Sequence, residues 1–355
     1  MKPFTVALSV ILVIAATFEI AVAQFNQCTG SDSCIVINQC AQFGPHFNDP
    51  SKWSNSLRTE FRSRVCKREK TNKGNIYKVC CQKPAAQNDN RKRGLDLLDL
   101  ESCGAYSVDK IAFGKEAKLF QYPWMAQLKP KVGNFVCGGT LINERYVLTA
   151  AHCFKNNNVA IVRLGEFDLS TEIDCDKHGE CAPAPQDIPI ERAILHSSYS
   201  ARRKVNDIAL IRLAEKASYN DNVLPICLPA SSAMSTKQTV YFVAGWGRTE
   251  AALYSEKLLY TMLSILPNDE CSQQLLKVDP YIKLSDNQMC AIGTNLTDNC
   301  TGDSGGPLKA VSINGRFVQY GVVSVGLRTC GRQSAPGVYT RVENYMDWIL
   351  ENLEE

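Results

Sequence analysis

The sequence predicts a mainly β protein with a short helix at its C-terminus and a small cysteine-bound domain in front. Three observations carry that reading. Short segments such as 159–164, 208–213 and 240–243 alternate apolar and polar residues between turn formers, as half-buried strands do, and many strands at short spacing favour a barrel or a sandwich. Between Pro307 and Gly326, Asn314-Gly315 sits where a tight hairpin needs positive backbone angles. Near the end, Val342, Tyr345, Met346, Ile349, Leu350 and Leu353 recur at helical spacing and make one apolar face, read as core packing. Trp124 and Trp246 read as core aromatics in the same way.

A chain of 355 residues is long for one ordinary domain. Its 39 Lys and Arg nearly balance 36 Asp and Glu, which points to neither a nucleic-acid partner nor a disordered acidic tail. Basic residues gather between Arg58 and Lys73 and at Arg91-Lys92-Arg93, and a solvated face or a processing site explains them better than a nucleic-acid patch. At the start, Lys2 precedes an apolar run from about Val6 to Ala16, and Ala21-Val22-Ala23 supplies small residues for cleavage. Residues 1–23 therefore read as a secretory signal, with Gln24 opening the mature chain. The alternative is a membrane anchor, but Glu19 interrupts the tail and the run is short for a span. No membrane partner is expected. The 16 cysteines are an even number, as in chains whose bridges persist in an oxidising compartment. They do not form the paired clusters of a metal site.

Cys28, Cys34, Cys40, Cys66, Cys80 and Cys81 fall in a stretch too short and polar to build a large core alone, so bridges must help hold it. Six cysteines allow fifteen pairings, and spacing does not choose among them. From 82 to 102 the composition shifts to Pro, Ala, Gln, Asn and charges, with no sustained apolar pattern before Leu95, as in an exposed linker. Within it, Arg93 closes a basic triplet open to a dibasic-specific enzyme or merely solvated.

Three short motifs carry the chemistry. Thr149-Ala-Ala-His-Cys153, Asn206-Asp-Ile-Ala-Leu210 and Gly302-Asp-Ser-Gly-Gly-Pro307 supply His152, Asp207 and Ser304. A serine hydroxyl attacks a carbonyl at neutral pH only if an imidazole takes its proton and a carboxylate fixes that imidazole's tautomer. Glycines around the serine leave room for backbone amides to meet the developing oxyanion, here those of Gly302 and Ser304.

In these motifs the segment from Ile111 to the end resembles the chymotrypsin and trypsin family of serine proteases. The resemblance implies two six-stranded antiparallel barrels with the site in their cleft. The six-cysteine block, with its adjacent Cys80-Cys81, resembles the clip domain at the front of arthropod secreted serine proteases, which implies pairs Cys28 with Cys80, Cys34 with Cys66 and Cys40 with Cys81. The chain then divides into signal 1–23, clip domain 28–81, linker and activation segment 82–110, and protease domain 111–355. The same resemblance pairs Cys103 with Cys227, Cys137 with Cys153, Cys271 with Cys290 and Cys300 with Cys330. Cys175 and Cys181 remain and can close a small loop.

Lys110-Ile-Ala-Phe-Gly114 looks like the family's activation junction, although Ala112 and Phe113 depart from its commoner Ile-Val-Gly-Gly. Cutting after Lys110 frees the Ile111 amine, and the implied partner is Asp303, because a charge entering the interior needs a counterion. Six positions before the nucleophile, Asp298 is the implied floor of the primary pocket, with Gly326 and Gly337 as open walls, which selects Arg or Lys. Val325 stands where many relatives place Trp.

Glu166, Asp168, Thr171 and Asp174 carry oxygen ligands in a loop where related clip proteases hold calcium; a solvated acidic loop is the alternative reading. No cofactor is required. Asn295-Leu-Thr297 is an acceptor pattern for N-linked sugar, and Asn299-Cys-Thr301 matches it too, but its cysteine and its place at the pocket argue against use.

The resemblance implies a secreted zymogen of arthropod haemolymph that becomes a serine endopeptidase of trypsin-like specificity. Its place would be an innate immune cascade leading to melanisation or Toll-ligand processing, with a developmental cascade as the alternative. Expected partners are an upstream activating protease, a protein zymogen or prophenoloxidase as substrate, a serpin inhibitor and non-catalytic clip-domain cofactors. Such a cofactor is the alternative from another class, and the intact Ser304 argues against it.

Overall fold

The computed structural model describes residues 28–29, 32–37, 40, 42–43, 53–71, 74–81, 85–105, 116–155, 157–231, 234, 238–247, 252, 254–277, 283–293, 303–325 and 336–355. The chain forms two compact units, residues 1–88 and 89–355.

In the first unit, β1 (Ser33–Val36), β2 (Val65–Thr71) and β3 (Gly74–Cys81) make an antiparallel sheet in the order β1-β3-β2, with α1 (Asn55–Arg64) leading into β2. Ser54 starts that helix by accepting the Leu57 amide on its side chain at 3.2 Å. The buried core is small: Ile35, Ile37, Phe43 and Val79, packed by Trp53 and Phe61. Three bridges supplement it, Cys28 to Cys80, Cys34 to Cys66 and Cys40 to Cys81. The second ties β1 across the sheet to β2, and the other two anchor Cys28 and Cys40, before and after β1, to the end of β3, which is what so little apolar burial needs.

In the second unit, α2 (Ala85–Asp96) enters from the first. Two closed six-stranded antiparallel barrels follow. One comprises β4 (Met125–Pro130), β5 (Cys137–Asn143), β6 (Tyr146–Thr149), β7 (Val159–Leu164), β8 (Gln186–Leu195) and β9 (Ala209–Leu213). The other comprises β10 (Tyr241–Gly245), β11 (Leu259–Leu266), β12 (Gln288–Gly293), β13 (Pro307–Val311), β14 (Phe317–Val325) and β15 (Gly337–Arg341), with α3 (Asn268–Leu275) between β11 and β12. Strands β6 and β9 are buried throughout, and Trp124 and Trp246 are among the largest fully buried side chains. Each such side chain contributes about 1.5–3 kcal/mol.

All six C-terminal apolar residues are buried, but they span a 3-10 turn (Val342–Tyr345) before α4 (Met346–Glu351) rather than one long helix. At the hairpin, only Gly315 has positive φ, +75°, and its amide closes on the Ser312 carbonyl. The turn is therefore longer than the two-residue form that Asn314-Gly315 suggests.

The stretch 82–102 departs from an exposed linker. Its first part is helical, Leu98 is buried, and Leu95, Leu97 and Leu100 pack on the barrel core. Gly94 lies so near the backbone of Leu350 that a Cβ would come within 1.9 Å of its carbonyl oxygen. Asn143 donates to the Leu97 carbonyl at 3.0 Å. The averaged polar composition conceals four leucines whose burial offsets the cost of ordering this segment.

Candidate active site

His152 lies on a 3-10 turn (Ala151–Phe154) directly after β6. That turn is held by the bridge Cys137 to Cys153, and by the Thr149 hydroxyl donating to the Gly138 carbonyl at 2.8 Å. Asp207 comes from the segment before β9 and is 3% exposed. Its Oδ1 accepts the His152 amide at 2.9 Å and its Oδ2 takes the ring Nδ1 at 2.8 Å. A carboxylate can only accept, so Nδ1 carries the proton and Nε2 is left as a base.

Two further donors hold Asp207. The Ser324 hydroxyl donates to Oδ2 at 2.6 Å, and the Thr340 hydroxyl donates to the Asp207 carbonyl at 2.7 Å. Asn206, at φ +54°, is fixed by the Tyr345 hydroxyl, which donates to its Oδ1 at 2.7 Å. Burial, and secondly the Asp207 carboxylate, push the Tyr199 and Tyr345 hydroxyls up to about 12. Both rings remain neutral neighbours of the anion.

Ser304 sits in the turn before β13. Its carbonyl accepts the Gly138 amide at 2.8 Å, which ties the nucleophile's backbone to the first barrel beside His152. Gly305, at φ +82°, allows the chain to turn there; a Cβ would lie 2.2 Å from Thr149 Oγ1. Among the described residues the Ser304 hydroxyl makes no hydrogen bond to the His152 ring. Asp303, the preceding residue, accepts the Gly247 amide on Oδ1 at 2.9 Å. Gly337 opens β15 opposite Ala291. Lys110, Ile111, Asn295, Asp298, Cys300, Gly302, Gly326 and Cys330 lie outside the described residues.

Residues 111–349 match the family described as Trypsin. The chain belongs to the trypsin family of serine proteases, in its arthropod clip-domain branch. It is 37% identical to CLIP domain-containing serine protease HP8 of Bombyx mori over 98% of this chain and 97% of that one. It is 36% identical to Phenoloxidase-activating factor 3 of Holotrichia diomphalia, covering 98% and 99%. A crystal structure of the Drosophila Grass clip serine protease of the Toll pathway is similar at 31% identity and TM-score 0.66, over 90% of this chain and 94% of that chain.

As in other trypsin-family chains, the chemistry needs no cofactor. In the loop after β7, where the sequence leaves a calcium site and a solvated acidic loop as alternatives, the fold brings together only part of the ligand set Glu166, Asp168, Thr171 and Asp174. Glu166 and Asp174 are both buried, and both accept the same Phe167 amide, at 3.1 and 2.9 Å. Burial and then the Asp174 charge push the Glu166 carboxyl up. Arg163 approaches Glu166 at 3.1 Å but is also committed to Asp187 at 2.7 Å. The two adjacent buried carboxylates are a small part of the six to eight oxygens that a calcium ion takes. Thr171 donates to Asp174 at 2.6 Å, whereas the Asp168 carboxylate is turned onto Ser170 in its own loop.

The remaining described bridges are Cys103 to Cys227, Cys175 to Cys181 and Cys271 to Cys290. Sequence reasoning missed Ser324, Thr340 and the pair Asn206–Tyr345, because an isolated hydroxyl gives no signal until the fold aims it at Asp207. It also passed over Gly245 and Gly247, which frame a buried tryptophan and could have been read as a close backbone approach.

Proposed function

We propose that the chain is a secreted zymogen that is cut after Lys110 and then cleaves other proteins after Arg or Lys. The observation that carries this reading is the buried Asp207 carboxylate, saturated by donors and fixing the proton on His152 Nδ1. His152 Nε2 takes the Ser304 proton as Oγ bonds to the substrate carbonyl carbon. The same proton then passes to the leaving amine as the peptide bond breaks, and a water repeats the exchange to release the acid. The amides of Gly302 and Ser304 receive the oxyanion.

Before the cut, Asp303 lacks the Ile111 ammonium, and the backbone between Gly302 and Ser304 is not yet held in its donating geometry. A single bond thereby controls the activity. Asp298, between Gly326 and Gly337, supplies the anion that repays the desolvation of a substrate's Arg or Lys. Cys103, bonded to Cys227, keeps the clip domain attached after the cut.

A relative named for activating phenoloxidase and a structural relative of the Toll pathway support a place in an immune cascade. The substrate is then a haemolymph precursor such as prophenoloxidase or a Toll-ligand precursor, and a serpin ends the activity. Lys110→Gln tests the switch. The variant should remain uncut and silent toward Arg peptides, and normal activity in it overturns the reading. Asp298→Ser tests the pocket: hydrolysis of Arg substrates should collapse, and unchanged rates remove the assignment.

A further inference from the structure

Residues 196–206 leave the end of β8 and return toward β9 immediately before Asp207. The neck of this loop is pinned: Leu195 pairs with Ala209, and the His196 amide donates to the Ile208 carbonyl at 3.1 Å. Asn206, next to Asp207, holds φ +54°, which costs free energy for any residue but glycine unless its surroundings impose it. Here a closed circuit of contacts imposes it. The Tyr345 hydroxyl donates to Asn206 Oδ1 at 2.7 Å, and Asn206 Nδ2 donates to the Ser198 carbonyl at 2.9 Å. The Ser198 amide in turn donates to His196 Nδ1 at 3.2 Å. The His196 ring closes the circuit by meeting the Tyr345 ring edge-on at 5.4 Å, with Trp348 of α4 also at 5.4 Å.

We propose that His196 is a positioning residue for Asp207: it touches both residues, Ser198 and Tyr345, that clamp the Asn206 side chain, and so holds the peptide that leads into Asp207. The inference rests on the reading that His152 and Asp207 serve Ser304 in proteolysis. Asp207 accepts the His152 amide on Oδ1 and the ring Nδ1 on Oδ2, so a turn of the Asn206–Asp207 peptide disturbs both contacts at once. Ser324 and Thr340 grip the oxygens of Asp207 itself. The circuit through His196 grips the residue before it. His196 can accept the Ser198 amide only on a bare Nδ1, so its ring proton sits on Nε2, the opposite of the His152 tautomer. Burial holds the His196 imidazolium below its ordinary range, which keeps that lone pair available at neutral pH.

The test separates the ring from its nitrogen. His196→Phe keeps a ring against Tyr345 and Trp348 but cannot accept the Ser198 amide. His196→Asn places an amide oxygen near the Nδ1 position and gives up the ring. In cut full-length protein, His196→Phe should lower kcat on an Arg peptide about tenfold with KM nearly unchanged, the worth of one hydrogen bond. It should also shift the low-field proton resonance of the His152–Asp207 pair, and His196→Asn should recover part of both effects. Asn206→Ala should lose at least as much, and combining it with His196→Phe should cost nothing further, since both break one circuit. Unchanged kcat and resonance in His196→Phe, or losses that add in the double variant, overturn the role. If His196→Phe does not fold, the wild-type ring decides: nitrogen NMR shifts showing a bare Nδ1 support the assignment, and a protonated Nδ1 overturns it. Wild type that stays silent toward Arg peptides after the cut overturns the proteolytic reading instead, and the resonance in the same variants still decides for His196.

Discussion

Asp303 and Gly247 are in direct contact: the Gly247 amide donates to Asp303 Oδ1 at 2.9 Å, and a Cβ on Gly247 would lie 2.5 Å from that oxygen. Gly245 is tighter still, at 2.0 Å. The end of β10 is therefore shaped to receive a carboxylate, and the two glycines leave no room for any other side chain while Asp303 is there. Because Asp303 precedes Ser304, this contact bears on the backbone that the proposed function assigns to the oxyanion.

Gly247→Ala should accordingly expel the carboxylate and misplace those donors. Loss of a single oxyanion donor costs about a hundredfold or more, so kcat/KM of the cut protein should fall by at least that factor. The low-field proton resonance of the His152–Asp207 pair should persist, since nothing in that pair touches Gly247. A variant with full activity would show that Asp303 acts from elsewhere.

Ser324→Ala tests the support of Asp207. The Ser324 hydroxyl donates to the oxygen that also holds the imidazole, at 2.6 Å. A hydrogen bond to a charged group is worth about 1.5–3 kcal/mol. Its removal should lower kcat about tenfold or more with little change in KM, because the imidazolium formed in the transition state leans on that carboxylate. Ser324→Thr, which retains the donor, should restore part of the rate. A change confined to KM would place Ser324 in substrate binding instead.

The strands were legible as short apolar segments between turn formers, since 159–164 and 208–213 coincide with β7 and β9 to within a residue, whereas the choice of two barrels over a sandwich came from the family resemblance. The His152–Asp207 pair was legible because both residues sit in distinctive local motifs. What escaped was what only the folded chain assembles. Ser324 and Thr340 are 117 and 133 residues from Asp207, and no local pattern announces either. Lys309 gives no signal in the sequence, and only the ladder places it, buried, between Phe242 and Gln319. The stretch 82–102 misled for another reason. Its polar average is true of α2, while Leu95 to Leu100 obey a different rule and pack.

Gly94→Ala probes that packed segment. A Cβ would meet the Leu350 carbonyl oxygen at 1.9 Å, backbone against backbone, where no side chain can move aside. Displacing the end of α2 from α4 would also loosen the ion pair between Arg91 and Asp347, at 2.8 Å. The variant should melt several degrees below wild type, as about 1–3 kcal/mol of overpacking would require. An unchanged melting temperature would show that the segment does not rest on Leu350.

The acidic pair of the loop after β7 makes a separate prediction. Glu166 and Asp174 share the Phe167 amide and repel each other, so a divalent cation between them should stabilise the protease domain. Millimolar calcium should raise the melting temperature, chelation should lower it, and Glu166→Gln should abolish the difference. Equal melting with and without calcium would leave Arg163 as the pair's sufficient counterion.

Lys309 links stability to pH in a direction opposite to that of an ion-paired lysine. In the unfolded chain its amine titrates near 10.5, and in the folded chain near 7. Between those values the unfolded state binds more protons, so folding loses stability as pH falls through this window, and the penalty is complete below about 7. Lys309→Met has nothing to protonate and fills similar volume. It should therefore melt several degrees higher than wild type at pH 7, with the advantage shrinking steadily toward pH 10. The comparison is a pair of melting curves at four or five pH values on uncut protein. A constant offset across that range would assign the gain to packing, and a variant less stable at pH 7 would mean that the Tyr122 ring, its centroid 3.9 Å from Nζ, repays the ammonium in full.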